Sequence, residues 1–177
     1  MPSNVSFDDL LVSAQESALH LEMRDAYGLG DEAADFERWR STGVRDVDPE
    51  SAYWLRGFAA SGTPRHGASP CAGLVSCPSR SANTSATSTL ALSSTFTRGE
   101  DVRWLARRRA SDLLLPGNDL WIFDGQTLLF NHFTGCGDWS DPPGFELCTE
   151  PDVVKQCAAA FDAVWERAVP HHQYTLR

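Results

Sequence analysis

The stretch Asp101–Phe133, DVRWLARRRASDLLLPGNDLWIFDGQTLLFNHF, decides the fold class of this chain. DVRWLARR reads as a short strand, and LLLPGND supplies Pro, Gly, Asn and Asp, which favour a turn. LWIFDGQTLLFNHF reads as two strands joined through Asp124 and Gly125, a dipeptide suited to the left-handed backbone of a type I′ hairpin turn. Three strand signals in about thirty residues require a sheet, and a sheet requires something to cover it.

The cover is expected further along the chain. After a polar loop rich in Gly, Asp and Pro, Thr149 is placed to cap a helix with Pro151 in its first turn, where a missing N–H costs little. Val153, Val154, Cys157, Phe161, Val164, Trp165 and Ala168 recur at three- and four-residue intervals, which gives that helix one apolar face. Pro170 is expected to end it. Towards the N-terminus, Ser6 and Asp9 have the spacing of a capping box, and Phe7, Leu10, Leu11 and Ala14 share a helical face. HLEMRDAY then alternates as a half-buried strand, with Leu21 and Met23 on one side and His20, Glu22 and Arg24 on the other. Gly28 and Gly30 break it, and DEAADFERWRSTG from Asp31 is expected to form a second helix that Gly43 stops. The reading is an α/β single domain over 1–177: a mixed sheet with a C-terminal hairpin and a packed terminal helix.

Composition narrows the function classes. A chain of 177 residues with 42% apolar content has room for one core. A formal charge of −9 repels a phosphate backbone, so no direct nucleic-acid binding is expected, although a local basic patch stays open. No stretch approaches the roughly 20 apolar residues of a membrane span, and the start MPSNVSFDDL is acidic, so no membrane partner and a cytoplasmic location are expected. Cys71, Cys77, Cys136, Cys148 and Cys157 lack zinc-site spacing and are expected as free thiols, with no metal and no cofactor.

The segment from Leu55 to Gly99 departs from this pattern. It contains no Asp, Glu or Lys, and SRSANTSATSTLALSSTFT has no useful period. It reads as a Ser/Thr-rich linker, an irregular insertion, or a product of reading out of frame. With GC-rich codons chosen for Trp54–Arg98, the register starting at each third base encodes a foldable string that contains VRRARVVSEP. A paired loss and gain of one base would account for both boundaries.

SALHLEMRDAY at Ser17–Tyr27, GEDVRWLARRRASDLLLPGNDLWIFDG at Gly99–Gly125, LLFNHFTG at Leu128–Gly135 and CAAAFDAVWERAVPHHQY at Cys157–Tyr174 resemble an actinobacterial family, domain of unknown function 6879. The family's middle block is absent from Leu55–Gly99 as written and occurs only in the alternative register. The resemblance carries no assigned catalytic residues. The element order also resembles one half of a phospholipase-D-like domain, used as a sensor in some bacterial regulators. Phospholipase-D chemistry needs a His nucleophile with a Lys two residues on; Lys155 is the only lysine and Val153 stands two before it, which excludes that activity.

The candidate ligand-binding residues are His20, Glu22, Arg24 and Asp25 on and beside the first strand, with Asn118, Asp119 and His132 around the hairpin. A solvated strand face and ordinary turn chemistry explain the same residues without a site. Asp124 belongs with the turn formers, and Asp138, Asp141 and Glu146 lack calcium-loop spacing. His171 and His172 suit a helix end. No catalytic residue is assigned. The leading expectation is a non-catalytic binding or regulatory module that recognises a small ligand or a protein partner, such as a helix-turn-helix regulator, through its sheet edge or hairpin face. The rivals are a small-molecule hydrolase or other enzyme using His20, Glu22, Asp25 or His132, and a frameshifted, non-functional variant. Convergence of those side chains in one concave pocket would favour the enzyme.

Overall fold

A computed structural model of the chain describes residues 6–24, 37–38, 41–42, 71–77, 101–142 and 144–174. In chain order these form α1 (Phe7–Ser13), β1 (Ala18–Glu22), β2 (Cys71–Cys77), β3 (Asp101–Ala106), β4 (Asp119–Phe123), β5 (Thr127–Asn131), β6 (Phe145–Cys148), α2 (Pro151–Arg167) and β7 (Val169–Pro170), with 3₁₀ turns at Arg107–Arg109 and His171–Gln173. The strands make one seven-stranded mixed sheet in the order β6-β5-β4-β1-β2-β3-β7. β1, β2 and β3 run parallel, and every other pairing is antiparallel.

The α/β reading with a mixed sheet, hairpin and terminal helix holds. Ser6 caps α1 through the expected capping box with Asp9. The β4–β5 turn places Asp124 at φ 50° and Gly125 at φ 63°, the paired positive values that a type I′ turn demands, and the Gln126 N–H donates to the Phe123 carbonyl.

Alternation in the strands sends side chains to two opposite layers. On one side Leu21, Leu105, Leu120, Ile122 and Leu128 meet Val154, Cys157, Phe161, Val164 and Ala168 of α2. Burying each large side chain there contributes roughly 1.5–3 kcal/mol. On the other side Phe7, Leu10, Leu11 and Ala14 of α1 pack on Ala18, Phe123 and Leu129.

Three expectations need correction. Glu150, not Thr149, occupies the N-cap of α2 and makes no side-chain capping bond; Pro151 at the start has no N–H to be capped and presets the helical φ. Pro170 does not terminate the helix directly. α2 ends at Arg167, and Pro170 lies in β7, an edge strand where a proline is tolerated. Irregularity does not extend through the whole of Leu55–Gly99, because Cys71–Cys77 forms β2 between β1 and β3. CAGLVSC is small and apolar without alternation, as suits a strand flanked on both sides by parallel neighbours.

The other residues of 55–99 lie outside the described residues. So does the expected helix from Asp31 to Gly43, apart from 37–38 and 41–42, which are helical, and so do Asp25 and the break at Gly28 and Gly30.

Candidate functional site

The β1–β4 pairing builds the site. The register sets His20 beside Trp121 on β4 and opposite Gly73 on β2, which in turn faces Val102 on β3. Gly73 therefore contributes no side chain to the row Trp121, His20, Val102. The imidazole of His20 lies parallel to the Trp121 indole, with centroids 4.0 Å apart and planes at 10°. Phe7 meets that indole edge-on, at 5.0 Å. One aromatic stack thus runs from α1 across β4 to β1.

His20 is largely buried, and its Nε2 is sealed from solvent with no hydrogen-bond partner. Its Nδ1 stands 3.7 Å from Glu22 Oε1, beyond hydrogen-bonding distance. A carboxylate nearby favours the imidazolium, whereas burial favours the neutral ring. Burial dominates and pushes the His20 pKa down to about 3. The ring is therefore uncharged at neutral pH and presents a desolvated polar atom, a group that costs about 1–3 kcal/mol until something pairs with it.

Glu22 follows two residues on and shares the His20 face. Past it the chain is fixed from three directions. The Met23 N–H donates to Oδ1 of buried Asp119 at 2.9 Å, and Arg107 donates to the Met23 carbonyl. Arg24 Nη2 donates to the Thr134 carbonyl at 2.6 Å, with its guanidinium 5.5 Å from the Phe133 ring centroid. The carboxyl ends of β1 and β3 are thereby tied to the start of β4 and to the loop after β5.

Of the residues expected from sequence, the structure brings together His20 and Glu22, with Asp119 adjoining through Met23. Arg24 turns away to the β5 loop. Asn118 is exposed ahead of β4, and Asp25 is outside the described residues. His132 pairs with Glu146 at 3.4 Å. Glu146 faces Phe130, which packs on the α2 layer, so this pair belongs to the side of the sheet opposite His20.

Trp121, Arg107 and Asp124 were not singled out from sequence as site residues. Asp124 has a bracing role: its carboxylate accepts the backbone N–H groups of Gln15, Glu16 and Ser17 at 2.7–3.2 Å, which holds the α1–β1 connection against the hairpin turn. Burial works against the charge there, but these three donors outweigh it and hold the pKa below the ordinary Asp value.

An open hollow of 740 Å³ adjoins the hairpin turn and the start of α2, lined by Gln126, Thr127, Thr149, Pro151, Lys155 and Asp162 among others. It includes none of the expected site residues. Among the described residues no three His, Cys, Asp or Glu side chains converge as metal ligands would, and no helix is long and apolar enough to cross a membrane. Cys136, Cys148 and Cys157 are free thiols.

A family model described as Domain of unknown function (DUF6879) matches residues 5–69 and 79–176. No curated protein matches the chain. Among solved structures, the chain is similar to TrmBL2, an archaeal chromatin protein described as showing a novel mode of DNA binding, at 13% identity and a TM-score of 0.40. The alignment covers 91% of this chain and 47% of that one, so the chain spans about half the length of the archaeal protein.

Proposed function

The chain belongs to the domain of unknown function 6879 family, and on that premise we propose that it is a non-catalytic binding module with regulatory use. Its small-ligand site is the β1–β4 face around His20, Glu22 and Trp121. The observation that carries this reading is the state of His20: a neutral ring stacked on an indole, with one sealed nitrogen lacking a partner. A general base needs access to a proton acceptor or donor and a pKa near the working pH. A binding residue needs a rigid bed and an unsatisfied polar atom, and His20 has both. The separation of His132 from His20 across the sheet supports the same reading, because the enzymatic alternative depends on their convergence.

The ligand class that suits the site is a flat, mostly apolar molecule that displaces the groups now sealing His20 Nε2 and directs one hydrogen-bonding group at that nitrogen. A helix-turn-helix regulator is the proposed recipient of the signal, and a phospholipase-D-like sensor half is the proposed ancestry of the fold. Screening planar heterocyclic fragments against ¹⁵N-histidine-labelled protein tests the site: bound fragments shift the His20 ring nitrogens, and Trp121→Ala removes the effect. Turnover of p-nitrophenyl esters or phosphates by the wild type, lost in His20→Ala, would instead establish an enzyme.

A second reading concerns Leu55–Gly99, where the absence of Asp, Glu and Lys favours an out-of-frame origin, while the family match in the frame as written, interrupted at 70–78, weighs against it. The coding DNA of a close relative decides it. A VRRARVVSEP-like block in the relative supports the shift, and the same Ser/Thr-rich segment in the same register ends the idea.

A further inference from the structure

From Ala110 to Val154 the chain contains eight carboxylates and no Lys or Arg. This stretch holds β4, β5 and β6; Asp119 and Asp124 are taken up by backbone N–H groups and Asp112 by Arg167, while Asp138, Asp141 and Glu146 stay exposed in and just before β6. β6 is the last strand of that part and pairs with β5 on one side only.

The His132 N–H donates to the Gly144 carbonyl, which makes that pair a hydrogen-bonded one. Alternation along an antiparallel ladder then directs the backbone groups of Glu146 and Cys148 towards β5, and those of Phe145 and Leu147 outwards. Among the described residues no strand takes up these outward groups. An open row of donors and acceptors is a template for another extended chain.

The side chains around this edge define what such a chain would carry. Leu147 is exposed, and Phe145 beside it is half-buried. Trp139 is 59% exposed, yet it is held in place. It forms an antiparallel bridge with Phe133, its ring sits 4.4 Å from the Phe133 ring, and the Ser140 N–H donates to the His132 carbonyl. Asp138 and Asp141 flank it, both exposed, and the Glu146 side chain is 67% exposed. An exposed, fixed indole with acids adjacent to it in sequence suits a cation, through both the ring face and the opposite charge.

We propose that the β6 edge, with Trp139 and Glu146, binds an extended, basic segment of a partner protein in which Lys or Arg alternates with apolar residues. This deepens the protein-partner side of the binding-module reading and does not depend on the His20 site. The incoming strand bonds the outward groups of Phe145 and Leu147. Its apolar residues cover Leu147, and its cations meet Glu146 on one face and Trp139 with its flanking acids at the strand's entry.

The test is fluorescence anisotropy on the full chain with a labelled alternating Lys–Val peptide, N-methylated along one edge so that it cannot pair with itself. The proposal predicts saturable binding that weakens with added salt, and none for the Glu–Val counterpart. Leu147→Pro removes an outward N–H while sparing the β5 ladder, and it abolishes binding; Trp139→Ala weakens binding roughly tenfold. Circular dichroism checks that each variant folds, and Glu146→Lys supplies the same test should Leu147→Pro fail to fold. His20→Ala leaves peptide binding unchanged.

Absence of Lys–Val binding, equal binding of the Glu–Val peptide, or full binding by every edge variant overturns the proposal. So does sedimentation that shows a dimer dissolved by Leu147→Pro, which would assign the edge to a second copy of the chain. Fragment binding at His20 that persists when the peptide fails separates the loss of this proposal from the loss of the binding-module reading.

Discussion

The imidazole of His20 and the indole of Trp121 lie 4.0 Å apart and within 10° of parallel, on adjacent antiparallel strands drawn from distant parts of the chain. That stack removes the imidazole from water and keeps it neutral. It also leaves Nε2 buried without a partner, the observation on which the proposed binding role rests. The functional reading follows from this relationship.

Stability should fall as the pH is lowered through the ordinary histidine range. The folded-state pKa of His20 is near 3 and the unfolded value near 6.5, so between them the unfolded chain binds one more proton. Such a group stabilises the fold fully above the unfolded value, and the contribution declines towards the folded one, by roughly 2 kcal/mol from pH 6.5 to pH 5. His20→Phe keeps a stacked ring and cannot titrate. Urea denaturation across this window should show a slope in the wild type that the variant lacks; parallel curves would contradict the burial of His20.

Asp124 accepts three backbone N–H groups from the α1–β1 connection while itself in the left-handed region. Asp124→Ala should destabilise the fold by about 2–3 kcal/mol, and Asp124→Asn by about half of that, since Asn tolerates the backbone and keeps one acceptor. Because the folded-state pKa is depressed, the carboxylate's contribution is present above the unfolded Asp range and disappears as the pH falls through the folded value. Thermal melts at pH 7 and pH 3 measure both parts: the variants should differ from the wild type at pH 7 and approach it at pH 3.

Gly144 adopts φ 70°, and a Cβ placed there would stand 3.2 Å from Cε3 of Trp139. Gly144→Ala should therefore cost about 1–2 kcal/mol in backbone strain and displace the indole from Phe133. Chemical denaturation together with the Trp139 side-chain NMR signal checks this. Wild-type stability with an unmoved Trp139 resonance would show that the loop is not constrained as described.

The elements that were legible in sequence are those specified by neighbours in the chain. The Ser6–Asp9 capping box, the Asp124–Gly125 turn and the apolar face of α2 each depend on residues a few positions apart, where spacing reports geometry directly. The cap of α2 was misplaced by one residue because Thr149 and Glu150 both precede Pro151 and only the backbone angles distinguish them. β2 was missed because CAGLVSC has no alternation; Pro70 and Pro78 bracket it as turn formers would, but its status as a strand depends on two parallel neighbours.

The site was half legible. Alternation placed His20 and Glu22 on one face of β1 correctly, but it could not place Trp121 under the imidazole or His132 on the opposite side of the sheet. Both facts depend on strand order, which local periodicity does not encode. Asp124 was read as a turn former, and its bond set to Gln15, Glu16 and Ser17 arises only when the hairpin docks beside α1.

The most direct measurement is a ¹⁵N NMR titration of the histidine ring nitrogens from pH 8 to pH 5, assigned to His20 by comparison with His20→Phe. The predicted result is a pair of nitrogens in a single neutral tautomer whose shifts stay constant over the range. A midpoint near neutrality, moved by Glu22→Gln, would describe a solvent-linked acid–base pair and contradict the assignment of His20 as a binding residue.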